Sequence, residues 1–315
     1  MDKRLTRMAI TTDSFPFRKP KSVLDFIDYC ERLGAGGVEI ALESSEPEYL
    51  KKVRARLEQS NMRLEAWVTL PKRDTAGFER SVKAAKEAGS NVLRGFCLGG
   101  RRYEVFSSVE QWKAFLAESK ASIAMALPVL EKYKVTLGLE NHKDWTADEL
   151  ARLMKEYSSE YLGVCLDTGN NLSLLDTMEE LVEALAPYSV SAHLKDMAVG
   201  EYPDGFLLVE VPFGDGMVDV KAVVNAMRRA RPKAEFTLEM MTRSPLKIPC
   251  LTDKFWVSFP DLGGERLARI LRMVRENKPR KPLPHVEPLS PEERVKLEED
   301  NVRQCLAYAQ RELGI

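Results

Sequence analysis

The chain has 315 residues, with 47 Lys and Arg against 48 Asp and Glu, and 44% of its residues are hydrophobic. This apolar fraction can supply a large core and excludes an intrinsically disordered chain. The formal net charge of -1 excludes a general electrostatic attraction to polyanions, so we expect no nucleic-acid partner.

Cysteine usage and the N-terminal residues indicate a reducing compartment. The five cysteines are widely spaced and form no CxxC pair, so neither a disulfide framework nor a thiolate zinc site is predicted. The first residues, MDKRLTRMAITTD, lack the apolar segment of a secretory leader, and no run approaches the ~18 apolar residues of a membrane span. We therefore expect a cytoplasmic protein without a membrane partner.

Short β-rich segments alternate with helical segments along the chain. The β-rich segments are 7–13, 37–41, 63–70, 91–98, 135–141, 162–170, 189–196 and 234–240. The helical segments include 22–33, 75–88, 108–134, 181–186, 220–230 and one that begins at Thr146. Pro128 should kink or split the longest of them.

Eight βα units predict a parallel sheet that closes into a (β/α)8 TIM barrel. An open doubly wound sheet is the alternative. The first β-rich segment is not followed by GxGxxG, which argues against a dinucleotide-binding version of that open sheet.

Two segments exceed a minimal barrel. The first, 241–264, is a long loop after the eighth strand whose aromatic residues favour an ordered lid. The second is the tail, where a proline-rich linker precedes Ser290, Pro291 and Glu293, the pattern of a capped helix start. We predict a barrel domain over 1–280 and, over 281–315, a linker and helix that pack on the barrel or on a partner subunit.

Charged or ionisable residues end the later β-rich segments, and the C-terminal strand ends are where barrel active sites are built. A charge after an apolar run is unfavourable unless it faces an opening or a partner. Three carboxylates and one imidazole predict an oxygen-rich site for a divalent ion such as Mn²⁺, Mg²⁺ or Co²⁺, with zinc also compatible. Each residue alone could instead be a helix cap, an ion-pair partner or a structural histidine. The four are Glu140, Asp167, His193 and Glu239.

The surrounding motifs resemble the xylose isomerase-like TIM-barrel superfamily over residues 7–277. They are GLENH (138–142), LDTGN (166–170), HLKD (193–196), VPFGDG (211–216) and TLEM (237–240). The resemblance implies that these four residues bind one divalent ion, with manganese as our first choice, and that Glu140 and Glu239 also transfer protons. It implies a sugar isomerase or epimerase that works through an enediolate, and a homodimer or homotetramer.

Other functions remain open. The same chemistry supports a lyase, namely a decarboxylase or dehydratase acting on a 3-oxo sugar or sugar acid. An endonuclease IV-type nuclease is disfavoured, because its multi-zinc site is rich in histidine and this chain has three histidines. A non-catalytic barrel subunit is the remaining class, and metal content would separate it from the enzymes.

Several further residues are predicted to bind the substrate, a small sugar or sugar acid. The chain departs from the ketose epimerases of the superfamily, where a histidine often stands at Asn170 and an arginine follows the metal-binding histidine. Arginines near the fourth strand instead suggest an anionic substrate, because a guanidinium binds carboxylate or phosphate through two hydrogen bonds; a solvated basic loop is the alternative. The predicted substrate-binding residues are Glu39, Trp67, Arg94, Arg101, Arg102, His142, Asn170 and Lys195.

Overall fold

The computed structural model describes residues 6–315. Its strands are β1 (Ala9–Thr11), β2 (Gly37–Ile40), β3 (Arg63–Trp67), β4 (Val92–Gly95), β5 (Thr136–Glu140), β6 (Leu162–Asp167), β7 (Ser189–Leu194), β8 (Asp196–Tyr202), β9 (Gly205–Val211), β10 (Glu235–Leu238) and β11 (Leu246–Ile248). Strands β1 to β7 and β10 pair in parallel and close into a barrel. The (β/α)8 prediction is confirmed, and each predicted β-rich segment contains one barrel strand.

Helices surround the barrel and bury their apolar faces against it. They are α1 (Val23–Leu33), α2 (Pro47–Ser60), α3 (Ala76–Glu87), α4 (Arg102–Val105), α5 (Val109–Tyr133), α6 (Ala147–Tyr157), α7 (Met178–Leu185), α8 (Val220–Ala230), α9 (Asp253–Trp256), α10 (Gly264–Glu276) and α11 (Pro291–Tyr308). Among the described residues, 6–315, no helix has the length and apolar content needed to span a bilayer.

Helix α5 is a single helix of 25 residues that contains Pro128, so the split considered from the sequence does not occur. Ser108 caps its start by accepting a hydrogen bond from the Gln111 N–H. Ile123 and Leu130 are fully buried on either side of the proline. Packing on the barrel therefore stabilises the helix across the position where the proline removes a hydrogen-bond donor.

A hairpin follows the seventh barrel strand and was not predicted. Strands β8 and β9 pair in antiparallel register, with Tyr202 opposite Gly205, and β11 adds to the free edge of β9. The sequence contained the signal, since Y-P-D-G at 202–205 is a typical turn between β-rich runs. Gly205 has a φ of 155°, and a Cβ there would lie 2.1 Å from the Ile248 carbonyl oxygen, so the close approach of β11 requires glycine.

Asp196 binds the backbone of the loop that contains the VPFGDG motif. Its carboxylate accepts hydrogen bonds from the N–H groups of Gly214, Gly216 and Val218 at 2.8, 3.0 and 2.9 Å. A Cβ on Gly216 would lie 2.2 Å from Asp196 Oδ1. Asp196 therefore fixes the loop that leads from the hairpin to α8, and it has a structural role beside the metal-binding motif.

Helix α11 begins with a capping box in which Ser290 and Glu293 bond each other's backbone N–H. The Glu298 carboxylate accepts hydrogen bonds from the N–H groups of Phe17 and Arg18, after β1. Buried apolar residues of the same helix join the core of the barrel: Val302, Cys305 and Leu306. The tail is thereby attached to the loop region between β1 and α1.

Candidate metal centre

Four donor side chains converge at the C-terminal ends of adjacent barrel strands. One donor atom from each lies within 4.8 Å of the others. Three side chains belong to β5, β6 and β7, and the fourth directly follows β10, which pairs with β7. All four are buried, with at most 4% of the residue surface exposed. They are the residues named from the sequence: Glu140, Asp167, His193 and Glu239.

The unpaired atoms of this cluster fit a cation. Among residues 6–315, Asp167 Oδ2, His193 Nδ1 and Glu239 Oε2 are buried and form no hydrogen bond, although Asp167 Oδ2 lies at ion-pair distance from Lys195. His193 Nδ1 lies 2.6 Å from Glu239 Oε2 and 3.8 Å from Asp167 Oδ2, but without hydrogen-bond geometry. Buried polar atoms are rarely left unpaired, and three that face each other fit a divalent ion. The cluster could therefore hold a metal.

Glu39 orients the histidine. His193 Nε2 donates to Glu39 Oε2 at 2.6 Å, and both residues are buried. A proton on Nε2 leaves the lone pair of a neutral imidazole on Nδ1, the atom that faces the carboxylates. Sequence analysis predicted Glu39 to bind substrate, whereas its carboxylate contacts the imidazole and lies 3.7 Å from the Arg94 guanidinium. A carboxylate behind a metal-binding histidine fixes its tautomer and orientation.

This contact yields a first testable prediction. Glu39→Gln should lower the affinity for Mn²⁺ about 10–100-fold, because the imidazole loses the acceptor that fixes its tautomer. Titration calorimetry of the metal-free protein measures the change. Glu87→Gln, at an exposed carboxylate in α3, is the matched control. Wild-type affinity in Glu39→Gln would remove Glu39 from this role.

Arg94 is buried against the cluster. Its Nε donates to Glu140 Oε2 at 2.6 Å, and its Nη1 lies 3.4 Å from Asp13 Oδ2. Burial alone would raise the pKa of Glu140, but the charges of Arg94, His142 and His193 together outweigh it and hold the pKa at about 2. Burial, and then the Glu239 carboxylate, raise the pKa of Asp13 to about 6. Glu140 is therefore ionised at neutral pH.

Lysine side chains approach the other side of the cluster. Lys195 Nζ lies 2.9 Å from Asp167 Oδ2 and 2.7 Å from Glu239 Oε1. It is also 3.4 Å from Asn170 Oδ1, while Asn170 Nδ2 donates to Glu140 Oε1 at 3.0 Å. Burial opposes ionisation of Glu239, yet Lys195, His193 and Arg94 together lower the pKa of this carboxyl well below its usual range. The structure thus brings Lys195 and Asn170 to the cluster.

Three neighbouring rings lie beside the cluster, at or just after the ends of β3 to β5. The Trp67 and Phe96 rings are 5.8 Å apart, and Phe96 stacks on His142 at 4.6 Å. His142 Nδ1 contacts the Leu98 carbonyl oxygen at 2.8 Å, and burial lowers the pKa of the imidazole to about 4, so it is neutral at pH 7. These rings are only partly buried, in contrast to the metal cluster. The Trp67 and Phe96 rings both lie 5.1 Å from the Arg94 guanidinium, which contacts Glu140.

Two of the predicted substrate-binding arginines are not brought to the cluster. Arg102 is buried, with its guanidinium between the rings of Trp112 and Phe259, and it donates to the carbonyl oxygen of Ser258. It therefore attaches the segment 241–264 to the barrel instead of facing the metal site. Arg101 is partly exposed and forms an ion pair with Glu104 in the next turn. The anionic-substrate hypothesis loses the support of both side chains.

Sequence analysis missed four charged residues around the site. Asp13 ends the first β-rich segment, so the strand-end rule that identified the metal ligands could have found it. Lys143 follows ENH directly and is buried. The Glu210 carboxylate, from the unpredicted hairpin, binds Arg243 Nε at 2.8 Å. The hairpin and the 241–264 segment therefore meet through an ion pair beside the cluster, which no local pattern indicates.

Another carboxylate lies deeper in the barrel. Ser191 Oγ donates to Glu65 Oε1 at 2.6 Å, and Arg63 Nη1 lies 3.4 Å from Glu65 Oε2. Burial, and then the Glu39 carboxylate, raise the pKa of Glu65 to about 7. Because the folded protein retains this proton better than the unfolded chain, its contribution to stability is lost as pH rises from about 4.5 to 7.

We therefore expect Glu65→Gln to stabilise the metal-free protein more at pH 8 than at pH 5, with a difference of roughly 2–3 kcal/mol. The amide keeps a polar group at the site but carries no charge to bury. Urea unfolding at the two pH values measures the difference. Glu48→Gln, at an exposed position of α2, should leave the pH dependence unchanged. Parallel pH profiles for Glu65→Gln and wild type would contradict the assignment.

Comparisons with known proteins agree with this geometry. A family model described as "Xylose isomerase-like TIM barrel" matches residues 27–254. The 3-oxo-isoapionate decarboxylase of Pectobacterium atrosepticum is 26% identical over 215 residues, which cover 66% of this chain and 74% of that protein.

Two solved structures share the fold. The structure of D-psicose 3-epimerase in the presence of D-fructose has a TM-score of 0.65 and 16% identity, covering 98% of this chain and 99% of that one. The IOLI protein with a bound zinc atom has a TM-score of 0.59 and 14% identity, covering 96% and 98%.

Proposed function

Because the chain belongs to the xylose isomerase-like TIM-barrel family, we propose that it is a divalent-metal-dependent isomerase or epimerase of a small sugar. The observation that carries the proposal is the buried cluster of three carboxylates and one imidazole, whose donor atoms lie within 4.8 Å of one another. Three oxygen donors favour a hard ion, and manganese is our first choice. Two of the proposed ligands are glutamates, one at the end of β5 and one directly after β10, which supports proton transfer by both.

A divalent ion at this cluster would polarise a substrate carbonyl and stabilise the negative charge of an enediolate. The Glu239 carboxylate, held ionised by Lys195, would accept the proton from the carbon next to that carbonyl. Glu140, held ionised by Arg94, would take a proton from a substrate hydroxyl and pass it to the carbon from another direction, and Glu239 would return its own proton to that oxygen. The Lys195 ammonium would hold a substrate oxygen, and the rings of Trp67 and Phe96 would shield the site from water.

A lyase is the second candidate, supported by the similarity to the decarboxylase. In a 3-oxo acid the bond between the carboxylate carbon and its neighbour breaks, carbon dioxide leaves, and the electron pair passes to the carbonyl oxygen. A proton from the Lys195 ammonium would then complete the product. Both reactions pass through an enolate-type intermediate, so the same metal cluster could stabilise the negative charge in either reaction.

Elemental analysis followed by assay in deuterium oxide tests the proposal. The metal-loaded protein is incubated with keto sugars, 3-oxo sugar acids and sugar phosphates. Deuterium incorporation next to the carbonyl, with a rearranged sugar, supports the isomerase, whereas release of carbon dioxide from the acids supports the lyase. A protein that binds no divalent ion and exchanges no deuterium with any of them would overturn both and favour a non-catalytic barrel.

A further inference from the structure

Lys143 is a buried ammonium with no acidic partner in the described structure. Its residue surface is 7% exposed, and its Nζ donates to the side-chain oxygen of Asn170. Among residues 6–315, no carboxylate oxygen lies within 4.0 Å of Lys143 Nζ, the distance that defines an ion pair. A charge removed from water is unfavourable without a counter-charge, so this lysine requires an explanation.

The backbone holds Lys143 in place. Its φ of 59° is left-handed, and its carbonyl oxygen accepts the Arg102 N–H at 2.9 Å. The Asp144 carboxylate accepts the N–H groups of Leu98 and His142 at 3.3 and 3.1 Å. These hydrogen bonds fix the loop that holds the Lys143 ammonium against Asn170. Asn170 also donates a hydrogen bond to Glu140 of the metal cluster.

The neighbouring cations have acidic partners, and Lys143 does not. Lys195 lies between Asp167 and Glu239, and Arg243 binds Glu210. Burial, followed by the charges of Lys195 and Arg243, lowers the pKa of Lys143 to about 8. The Asn170 side-chain oxygen accepts hydrogen bonds from Lys143 and Lys195, so two ammonium groups share one neutral acceptor. An anion next to Asn170 would supply the missing counter-charge.

We propose that Lys143 forms an anion subsite beside the metal cluster and binds a carboxylate or phosphate group of the substrate. The inference rests on the proposed function, because it assumes that the substrate binds at this cluster. The proposal assigns anion recognition to Lys143, which has no acidic partner among the described residues. Arg101 and Arg102, in contrast, bind other parts of the protein. The hydrogen bonds through Asn170 place this subsite next to Glu140, so the anionic group lies near the reacting carbon.

Binding of matched probes to the Mn²⁺-loaded protein tests the subsite. Titration calorimetry compares D-ribonate with ribitol, and ribose 5-phosphate with ribose. We expect the wild type to prefer at least one anion over its neutral partner about ten-fold or more. Lys143→Gln, which keeps a donor toward Asn170 without the charge, should lose most of this preference, and Lys143→Arg should retain it. Preference for ribonate alone identifies a carboxylate subsite, and preference for ribose 5-phosphate alone a phosphate subsite.

The controls separate the subsite from the metal and from the fold. Lys233→Met, at an exposed lysine between α8 and β10, should bind all probes as wild type does. Because ribonate can also bind the ion itself, the deciding value is the change of preference in Lys143→Gln. If Lys143→Gln kept the preference for the anion, or if the wild type had no such preference, the subsite would be overturned. In that case deuterium exchange by the wild type would still support the proposed function. Mn²⁺ affinity and circular dichroism verify that the variant is folded, and Lys143→Met provides a second uncharged variant.

Discussion

Glu239→Gln should abolish turnover while leaving a folded barrel. The substitution removes the charge from a proposed metal ligand and from the proposed base, and it leaves Lys195 with one fewer acidic partner. We expect kcat/KM to fall by at least about a thousand-fold and the bound metal to decrease. Steady-state kinetics, elemental analysis and circular dichroism measure the three quantities.

Glu235→Gln is the matched control for Glu239→Gln. Glu235 lies at the opposite end of β10, where its carboxylate contacts Arg63 at 2.9 Å outside the metal cluster. This variant should retain metal and turnover close to those of the wild type. If Glu239→Gln retained wild-type turnover, the assigned chemistry would be wrong, whatever the control showed.

Arg94→Met should destabilise the metal-free protein by about 3–5 kcal/mol. Arg94 is 2% exposed and is the cation nearest to Glu140, with Asp13 and Glu39 within 4 Å of its guanidinium. Its removal leaves several buried carboxylates to repel one another, and breaking a buried pair costs more than the pair contributes. A bound divalent ion should restore part of the loss, because it supplies positive charge to the same carboxylates.

Urea unfolding after chelation, and again with Mn²⁺, measures both effects of Arg94→Met. Arg101→Met provides the control, since Arg101 pairs with Glu104 at the surface and should change stability by less than about 1 kcal/mol. Equal losses in the two variants would show that Arg94 does not neutralise the cluster. A loss that Mn²⁺ leaves unchanged would show that the ion and Arg94 do not share these carboxylates.

The barrel and the metal-cluster residues could be predicted because both follow from local pattern and simple geometry. Alternation of β-rich and helical segments identifies each βα unit, and parallel strands place their C-terminal ends at one edge. Glu140 and Asp167 end their strands, so their convergence needed no knowledge of side-chain conformation. The hairpin at 196–211 was not predicted although its Y-P-D-G turn was present, because an antiparallel hairpin lies outside the βα alternation on which the fold prediction rests.

Only the tertiary structure decided which charges pair. Arg94 and Arg102 are eight residues apart in one arginine-containing segment, yet one binds Glu140 and the other attaches the 241–264 segment through Ser258. Long charged side chains reach partners on distant elements, so sequence spacing does not determine their contacts. The partner of Glu39 could not be predicted for the same reason. Sequence analysis predicted that Glu39 binds substrate, and in the fold its carboxylate contacts His193 Nε2. Sequence alone determined the strand order and the four converging residues; the three-dimensional packing of the barrel decided the partners that orient and neutralise them.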